Sequence, residues 1–317
     1  MNQKDVLLVG AGAMAIEYAK VLKGLNVPFR VIGRNDRSAE LFEKNTGIAV
    51  ERGGIDKCDP ASLGKYGHAI VAVDVPNLSR VTFSLLECGI RDILVEKPAG
   101  LNQKEIAQVE ESARRDDAHV SVAYNRRHYA STKKAHELII EDGGALSFNF
   151  EFTEWAHKIE KLDFAPETKA NWLLANSSHV IDLAFYLGGK PETLVSEVSG
   201  SLPWHPSGAI FSGSGKTEND VLFSYHANWL SAGRWGVEIL TKNRRLILRP
   251  LEKLFEQKKG EVEITGVVVD DTLDTKYKPG LFREVEEFLS GKKQSLPNIR
   301  EHLEMVKWVE KIGTKTL

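Results

Sequence analysis

The stretch that decides the fold is Val6–Ala15, which reads VLLVGAGAMA. Four apolar residues typical of a short buried strand lead into a glycine turn, and a helical pattern begins near Ala13. Gly10 allows the tight turn, Gly12 lets the backbone approach a pyrophosphate, and Ala15 is small enough for close packing of helix on strand. This order predicts a dinucleotide-binding turn at a helix N-terminus, with contacts from Gly10, Ala11, Gly12, Ala13 and Met14.

The first part of the chain alternates short apolar runs with amphipathic stretches. This alternation predicts a doubly wound parallel sheet with helices on both faces, whose ligands bind at the carboxyl ends of the strands. The predicted strands are Val6–Val9, Phe29–Ile32, Ile70–Val73, Ile93–Val95 and Val120–Ala123. The predicted helices are Ala13–Leu22, Leu78–Glu87 and Lys104–Arg115.

The pattern changes near Tyr124, where strand-like alternation becomes frequent. We expect strands at Leu146–Phe152, Leu222–Trp229, Gly236–Leu240 and Leu246–Leu248, and helices at Ser131–Ile140 and Trp172–Leu187. The second half is therefore predicted as an α+β domain with a largely antiparallel open sheet. The predicted domains are residues 1–123, a Rossmann dinucleotide-binding domain, and 124–317, for substrate binding and oligomerisation, with a C-terminal helix near 300–312 that packs back on the first.

Composition excludes several classes of protein. The 317 residues suffice for about two domains, and 42 Lys+Arg against 44 Asp+Glu leave a net charge of −2, so no overall field recruits nucleic acid or an anionic membrane. The two cysteines, Cys58 and Cys88, and the lack of zinc-like spacing predict neither a disulfide framework nor a metal site. Met1–Asp5 leads directly into the first strand and no apolar stretch approaches the ~18 residues of a membrane helix, so we expect a cytoplasmic protein.

Four motifs in order support a resemblance to a known family. They are the glycine turn at Gly10–Ala15, Glu96-Lys97-Pro98, Tyr124-Asn125-Arg126-Arg127, and His179-Val180-Ile181-Asp182 before Gly188-Gly189. In this order and spacing the chain resembles the glucose-fructose oxidoreductase/inositol dehydrogenase family over at least Val6–Gly189. The resemblance implies a Rossmann domain followed by an open-sheet domain that often forms an oligomer interface. It also implies NAD(P)-dependent oxidation or reduction of sugars and sugar derivatives.

The end of the second predicted strand bears on the choice of dinucleotide. NAD-specific sites carry an acid there for the ribose 2′-hydroxyl, whereas this chain has Gly33-Arg34-Asn35. The Arg34 guanidinium can pair with a 2′-phosphate, so we predict NADP(H) over NAD(H). The alternative is that Arg34 is solvated and Asp36 turns inward to bind the ribose. The remaining predicted cofactor contacts are Asn35, Asp74, Pro76, Glu96, Lys97 and Arg126.

Lys97 and His179 are the predicted catalytic residues. Lys97 follows a parallel strand and precedes Pro98, which restricts its backbone to extended conformations, although a surface lysine paired to Glu96 would read the same. His179 and Asp182 are three apart on a predicted helix and so share a face. The resemblance implies that the histidine accepts a proton or orients the substrate. Asp182 either holds the imidazole or satisfies neighbouring groups.

The chain departs from the family at Ala175. Many relatives carry an aspartate four residues before the histidine, which completes a Lys-Asp-His set, and Ala175 supplies no carboxylate. Asn176 or Ser177 can orient a substrate hydroxyl, but neither is a general base near neutral pH. We therefore expect either a mechanism with Lys97 and His179 alone or a chemistry other than simple alcohol oxidation.

Several further residues are predicted on the substrate side. Arg126 or Arg127 can bind a carboxylate or phosphate through two hydrogen bonds, while the other forms an ordinary ion pair. Tryptophans offer flat apolar faces on which sugars stack, although core packing is their commoner role. The predicted substrate contacts are Tyr124, Arg127, Trp155, Trp172 and Asn176.

These predictions converge on an NADP(H)-dependent oxidoreductase. Its substrate would be a sugar, sugar acid, inositol or nucleotide sugar, and the resemblance implies a homo-oligomer formed through the C-terminal sheet. Two alternatives remain open. One is a cofactor-binding regulator without turnover, and the other is redox-neutral sugar chemistry with a tightly held cofactor.

Overall fold

The computed structural model describes residues 5–316, which divide into two units. The first contains the residues up to Asn125 together with Thr275–Glu304, and the second contains Arg126–Asp274 together with the residues from Met305 onward. The boundary at Asn125 lies within two residues of the predicted one. The return of Thr275–Glu304 to the first unit departs from the contiguous second domain expected for 124–317, because contacts distant in sequence leave no local signal.

The first unit is built on a parallel sheet. Its strands are β1 (Val6–Val9), β2 (Phe29–Gly33), β3 (Val50–Arg52), β4 (His68–Val71), β5 (Asp92–Glu96) and β6 (His119–Ala123). They pair in the order β3-β2-β1-β4-β5-β6, so the strand order reverses between β1 and β4. Ligands of doubly wound sheets bind at this switch point, beyond the carboxyl ends of the strands.

Helices connect these strands. They are α1 (Ala13–Gly24), α2 (Asp36–Thr46), α3 (Pro60–Leu63), α4 (Leu78–Glu87) and α5 (Gln103–Arg115), with short 3₁₀ turns at Ile55–Lys57 and Val75–Asn77. Helix α2 begins where the Asn35 side chain accepts a hydrogen bond from Ser38 N and ends at Gly47, whose φ of +69° suits glycine. Asn35 is thus held between the end of β2 at Gly33 and the start of α2.

The late segment of the first unit completes its core. Helix α11 (Leu281–Ser290) buries Leu281, Val285 and Phe288 in the cluster that holds Tyr18 and Leu22 of α1. Further along the chain, Pro297 O accepts a hydrogen bond from Val122 N at the outer edge of β6. Thr275–Glu304 therefore covers one helix and one sheet edge of this unit.

The second unit contains a mostly antiparallel sheet. Its strands are β7 (Ser147–Glu151), β8 (Pro191–Ser199), β9 (Ile210–Thr217), β10 (Leu222–Asn228), β11 (Gly236–Leu240), β12 (Arg244–Leu248), β13 (Phe255–Lys258) and β14 (Thr265–Gly266). They pair in the order β14-β13-β12-β11-β7-β10-β9-β8. The pair β7 and β10 is parallel and the others are antiparallel, which confirms the predicted fold class.

The second unit also contains helices. They are α6 (Ala130–Glu141), α7 (Ala156–Ile159), α8 (Pro166–Ala170) and α9 (Ser178–Gly188). Of these, α6 and α9 pack against the sheet. Phe185 of α9 meets Phe148 and Phe223 edge-on, with ring centroids 5.9 and 5.1 Å away. The remaining elements are a 3₁₀ turn at Asn125–His128, α10 (Thr272–Lys276) and α12 (Ile299–Ile312).

The helix predicted at Trp172–Leu187 is not uniform. Leu173–Ser177 forms a π-helical turn, and α9 follows directly from Ser178. Such turns insert a residue into the helix and often occur at functional sites. Among residues 5–316, every helix is too short or too polar to span a bilayer.

Candidate functional site

A cavity of ≈ 320 Å³ lies in the first unit, where β1, β2 and β4 end. Its walls include the glycine turn after β1, the residues that follow β2 and the turn after β4. The predicted cofactor residues among them are Gly10, Ala11, Gly12, Arg34, Asn35 and Asp74. This is the switch point of the sheet, as the sequence predicted for a dinucleotide.

The two turn glycines serve different purposes. Gly10 has φ of +123°, and a Cβ there would lie 2.2 Å from Ala72 O, so only glycine fits. A Cβ on Gly12 would meet no atom within 4 Å, so the space above it is open. Gly12 caps α1 without a side-chain hydrogen bond, and the first turn of α1 carries no acid. The turn thus leaves helix N–H groups and open space for a phosphate, which fits a dinucleotide.

The rim of the cavity carries polar and charged groups that follow β2 and β4. Arg34 Nη1 lies 3.3 Å from Asn77 Oδ1, and its exposed guanidinium borders the cavity. Asp36, the alternative ribose ligand, is largely exposed, with its carboxylate 3.5 Å from Arg52 Nε. Asn77 Nδ2 donates to both carboxylate oxygens of Asp74, at 2.9 Å. The cationic group therefore borders the cavity, while Asp36 faces another arginine.

The other predicted cofactor residues lie outside the cavity wall. Ala13 and Met14 form the first turn of α1, and Pro76 belongs to the turn at Val75–Asn77. Glu96 ends β5 and Lys97 follows it. Arg126 belongs to the second unit.

Lys97 is held in a loop whose neighbours are well defined. Tyr18 donates a hydrogen bond of 2.8 Å to Oε1 of Glu96, and the ring of His302 lies with Nε2 2.9 Å from Pro98 O. Burial raises the pKa of Glu96, while the charge of Lys97 and the bond from Tyr18 oppose the rise. The loop at Lys97 is thus anchored from α1 and from α12.

In the second unit, the buried carboxylate of Glu154 is hydrogen-bonded to the π-helical turn. It is 1% exposed, and its Oε1 accepts hydrogen bonds from Asn176 Nδ2 at 2.9 Å and Ser177 Oγ at 2.8 Å. Its Oε2 lies 3.8 Å from Arg234 Nη1. Burial raises the pKa of Glu154, opposed by Ser177, Asn176 and Arg234.

His179 lies in the first turn of α9 and is 6% exposed. Its ring centroid is 6.1 Å from that of Trp235. The guanidinium carbons of Arg126 and Arg234 each lie 4.8 Å from the centre of the Trp235 indole. Burial lowers the pKa of Arg126. Two cations thus flank the aromatic ring that contacts His179.

Arg127 and Asp182 form an ion pair within the second unit. Nε and Nη2 of Arg127 donate to the two carboxylate oxygens of Asp182, at 2.8 and 2.6 Å. The side chains are 13% and 2% exposed, and Arg127 also lies over the Tyr186 ring. Arg127 is therefore the arginine of the predicted pair that forms an ion pair. Both carboxylate oxygens of Asp182 accept hydrogen bonds from Arg127, which is the second of the two roles predicted for this aspartate. This geometry disfavours the predicted substrate role of Arg127.

Three of the other predicted substrate residues share neighbours in the second unit, whereas Tyr124 belongs to the first unit. The Arg234 guanidinium carbon lies 4.7 Å from the centre of the Trp155 ring, and the same guanidinium faces Glu154. Tyr124 is buried in the first unit beside His302, at 5.5 Å between ring centroids. Trp172 is buried against Phe164 and Trp204. Trp155, 39% exposed, borders a cavity of ≈ 640 Å³ in the second unit that is also lined by His157, Trp204 and Trp229. Asn176 donates to Glu154.

Sequence reasoning missed four residues around the predicted catalytic groups, namely Tyr18, His302, Arg234 and Trp235. Arg234 and Trp235 directly precede β11. Their position beside the end of a predicted strand was the sequence feature that could have identified them. Tyr18 and His302 read as ordinary positions on helical patterns, and their contacts with the Glu96–Pro98 segment span 78 and 204 residues of sequence.

Comparison with known proteins yields structures but no sequence relatives. No protein-family profile matches the chain, and no curated protein matches it. A putative NADPH-dependent oxidoreductase from Desulfitobacterium hafniense has a TM-score of 0.81 at 15% identity, covering 99% of this chain and 95% of that one. A levoglucosan dehydrogenase in complex with NADH has a TM-score of 0.79 at 17% identity, covering 98% and 95%. A UDP-N-acetylglucosamine 3-dehydrogenase from Acidithiobacillus ferrooxidans has a TM-score of 0.75 at 13% identity, covering 98% and 97%.

These likenesses extend over nearly the whole chain. The structures that it resembles are oxidoreductases of the glucose-fructose oxidoreductase/inositol dehydrogenase type, with TM-scores of 0.73–0.81. The predicted resemblance and the predicted fold are therefore confirmed at the level of architecture. At these identities, the comparison carries the fold and no residue roles.

Proposed function

We propose that the protein is an NADP(H)-dependent oxidoreductase. It would transfer a hydride between the nicotinamide and a carbinol or carbonyl carbon of a sugar, sugar acid, inositol or nucleotide sugar. The observation that carries the proposal is the switch-point cavity, which joins the open Gly12 turn to the Arg34 guanidinium.

The residues of the first unit fit a dinucleotide. Backbone N–H groups at the start of α1 would hold the pyrophosphate over Gly12. Arg34 would pair with a 2′-phosphate, a role that favours NADP(H) because the end of β2, Gly33-Arg34-Asn35, carries no acid for a ribose hydroxyl. The cofactor itself would supply or accept the hydride.

Lys97 and His179 are the proposed proton-handling groups. Lys97 would donate a hydrogen bond to the reacting oxygen and polarise it, while His179 would exchange the proton of the hydroxyl. The resemblance supports both assignments. The anchoring of the Glu96–Pro98 segment by Tyr18 and His302 supports a fixed position for Lys97.

The substrate class follows from two lines of support. Two structural neighbours are named as dehydrogenases of levoglucosan and of UDP-N-acetylglucosamine, both sugar derivatives. The second unit also offers an indole-lined cavity, and indole faces stack on sugar rings.

We also propose a homo-oligomer that forms through the exposed face of the second unit's sheet. That face carries polar side chains, including Ser212, Ser214, Ser224 and His226. A single sedimenting species at the monomer mass would exclude this assembly. The proposed compartment is the cytoplasm, where thiols such as those of Cys58 and Cys88 stay reduced.

The experiment is a fluorescence titration with NADPH and NADH, followed by a hydride-transfer screen of sugars, inositols, sugar acids and nucleotide sugars. We expect tighter binding of NADPH and turnover of one substrate class, with turnover lost in both Lys97→Ala and His179→Ala. Full activity in either variant would remove that residue from the mechanism. Binding without turnover would favour a regulator, and turnover without net change in NADPH would favour redox-neutral chemistry.

A further inference from the structure

Glu154 is a carboxylate that the proposed mechanism does not use. It follows β7 by three residues and is 1% exposed, although ionised groups are seldom buried so fully. Asn176 and Ser177 satisfy Oε1, whereas Oε2 lies 3.8 Å from Arg234, beyond hydrogen-bond length. The carboxylate thus accepts two hydrogen bonds at Oε1 and faces a cation at Oε2, and the nearby Trp172 indole also favours its ionised form.

Burial of the Glu154 carboxylate lowers the stability of the folded protein. Removing a carboxylate from water is unfavourable, and hydrogen bonds and a cation 3.8 Å away offset this desolvation only in part. The raised pKa of Glu154 reports the same imbalance, since burial outweighs the groups that favour the ionised form. A neutral side chain of equal shape would make the same bonds to Asn176 and Ser177 without that cost. Retention of an acid here therefore points to a use other than stability.

Two routes connect Glu154 to the surroundings of His179 within the second unit. The first is covalent, because Asn176 and Ser177 belong to the π-helical turn that leads into α9, and His179 is the second residue of α9. The second is electrostatic, because Arg234 stacks on the Trp235 ring that contacts His179. The carboxylate thus fixes the turn before His179 and faces one of the two cations beside it.

We propose that Glu154 is a positioning residue for His179. Its hydrogen bonds set the π-helical turn, and its negative charge balances Arg126 and Arg234 so that the imidazole can take up a proton during turnover. The inference rests on the proposed function, in which His179 exchanges the proton of the substrate hydroxyl.

The charged groups near this site set the direction of the expected pH effect. Arg126 and Arg234 flank Trp235, and the groups that act on Arg126 also include Glu252 and Tyr129. Asp182 forms an ion pair with Arg127. Loss of the Glu154 charge leaves the two guanidinium groups less compensated, which disfavours a positive charge on the imidazole.

The test compares Glu154→Gln with wild type, with Glu167→Gln on exposed α8 as the matched control. Glutamine keeps an oxygen that accepts from Asn176 and Ser177 but carries no charge. We expect kcat to fall about 10–100-fold with KM and the NADPH Kd within about threefold, since positioning errors act on the chemical step. The pH midpoint of kcat should move to lower pH, and Tm should stay equal or rise. Glu167→Gln should match wild type throughout.

Each outcome decides the matter. A wild-type kcat and pH midpoint in Glu154→Gln would overturn the inference while the proposed function stands. A lower kcat with an unchanged pH midpoint and a lower Tm would assign a structural role and overturn it as well. If the wild-type protein transfers no hydride to any substrate class, the proposed function fails, and the inference fails with it.

Discussion

The Tyr18 hydroxyl of α1 donates a hydrogen bond of 2.8 Å to Oε1 of Glu96, the residue that precedes Lys97. Burial and the carboxylates of Glu96 and Glu284 raise the pKa of Tyr18 well above its ordinary value, so the phenol stays a donor. One helix therefore both begins at the glycine turn and anchors the segment that contains Lys97.

Replacing Tyr18 by phenylalanine tests this link. The lost hydrogen bond lets the pKa of Glu96 rise further, so the carboxylate beside Lys97 takes up a proton at a higher pH than in wild type. We expect the pH profile of kcat to shift to higher pH and kcat at pH 7 to fall several-fold, with NADPH binding unchanged. Tyr66→Phe, in the same unit, is the control. An unchanged profile in Tyr18→Phe would separate Tyr18 from the reaction.

The two turn glycines should respond oppositely to alanine. Gly10→Ala forces a Cβ to within 2.2 Å of Ala72 O at a φ of +123°, so we expect a loss of at least about 3 kcal/mol of folding free energy. Gly12→Ala adds a methyl group in open space, so Tm should change little while NADPH binds about tenfold more weakly. Thermal melts and fluorescence titrations measure both. An unchanged NADPH affinity in Gly12→Ala would show that the phosphate does not bind at this turn.

Arg34→Ala tests the dinucleotide preference. Loss of the guanidinium should weaken NADPH binding by about tenfold or more, or about 1.4 kcal/mol, and leave NADH within about threefold. Arg37→Ala, on the exposed start of α2, is the control and should keep the preference for NADPH. Equal losses for both dinucleotides in Arg34→Ala would argue for adenine stacking instead of phosphate recognition.

The Arg127–Asp182 pair should matter for stability. Arg127→Ala leaves the buried Asp182 carboxylate without its cation, and we expect a loss of about 3–5 kcal/mol in urea unfolding. Arg115→Ala, which breaks an exposed pair with Asp116, should leave stability unchanged. A stable Arg127→Ala variant with a raised KM would restore the substrate role first predicted for Arg127.

Local sequence patterns predicted well the helices and strands whose apolar residues recur at a regular period. They predicted poorly the elements that contain few apolar residues. Helix Leu78–Glu87 and strand Gly236–Leu240 match their predicted bounds, because their apolar residues recur at the correct period. Helix α2 was missed because it buries only Ala39 and Phe42. Strand β9 was missed because its sequence, IFSGSGKT, is rich in serine and glycine rather than in strand-forming residues.

The candidate site likewise contains some features that local sequence predicts and others that it does not. The positions of the glycine turn and Arg34 at the cavity were predictable because they depend on neighbours in sequence. The pairing of Arg127 with Asp182 joins residues 55 apart, and the burial of Glu154 depends on a turn 22 residues away. Such contacts follow from tertiary packing, which spacing along the chain does not encode.

The return of Thr275–Glu304 to the first unit governs how the protein can be taken apart. A fragment that ends at Ala123 would contain all six parallel strands yet leave bare the apolar side of α1 that Leu281, Val285 and Phe288 cover, as well as the outer edge of β6. Exposed strand edges and apolar helix faces promote aggregation. A soluble fragment of the first unit would therefore have to be spliced from two distant pieces of the gene, because its core is completed only by residues translated after the second unit's entire sheet.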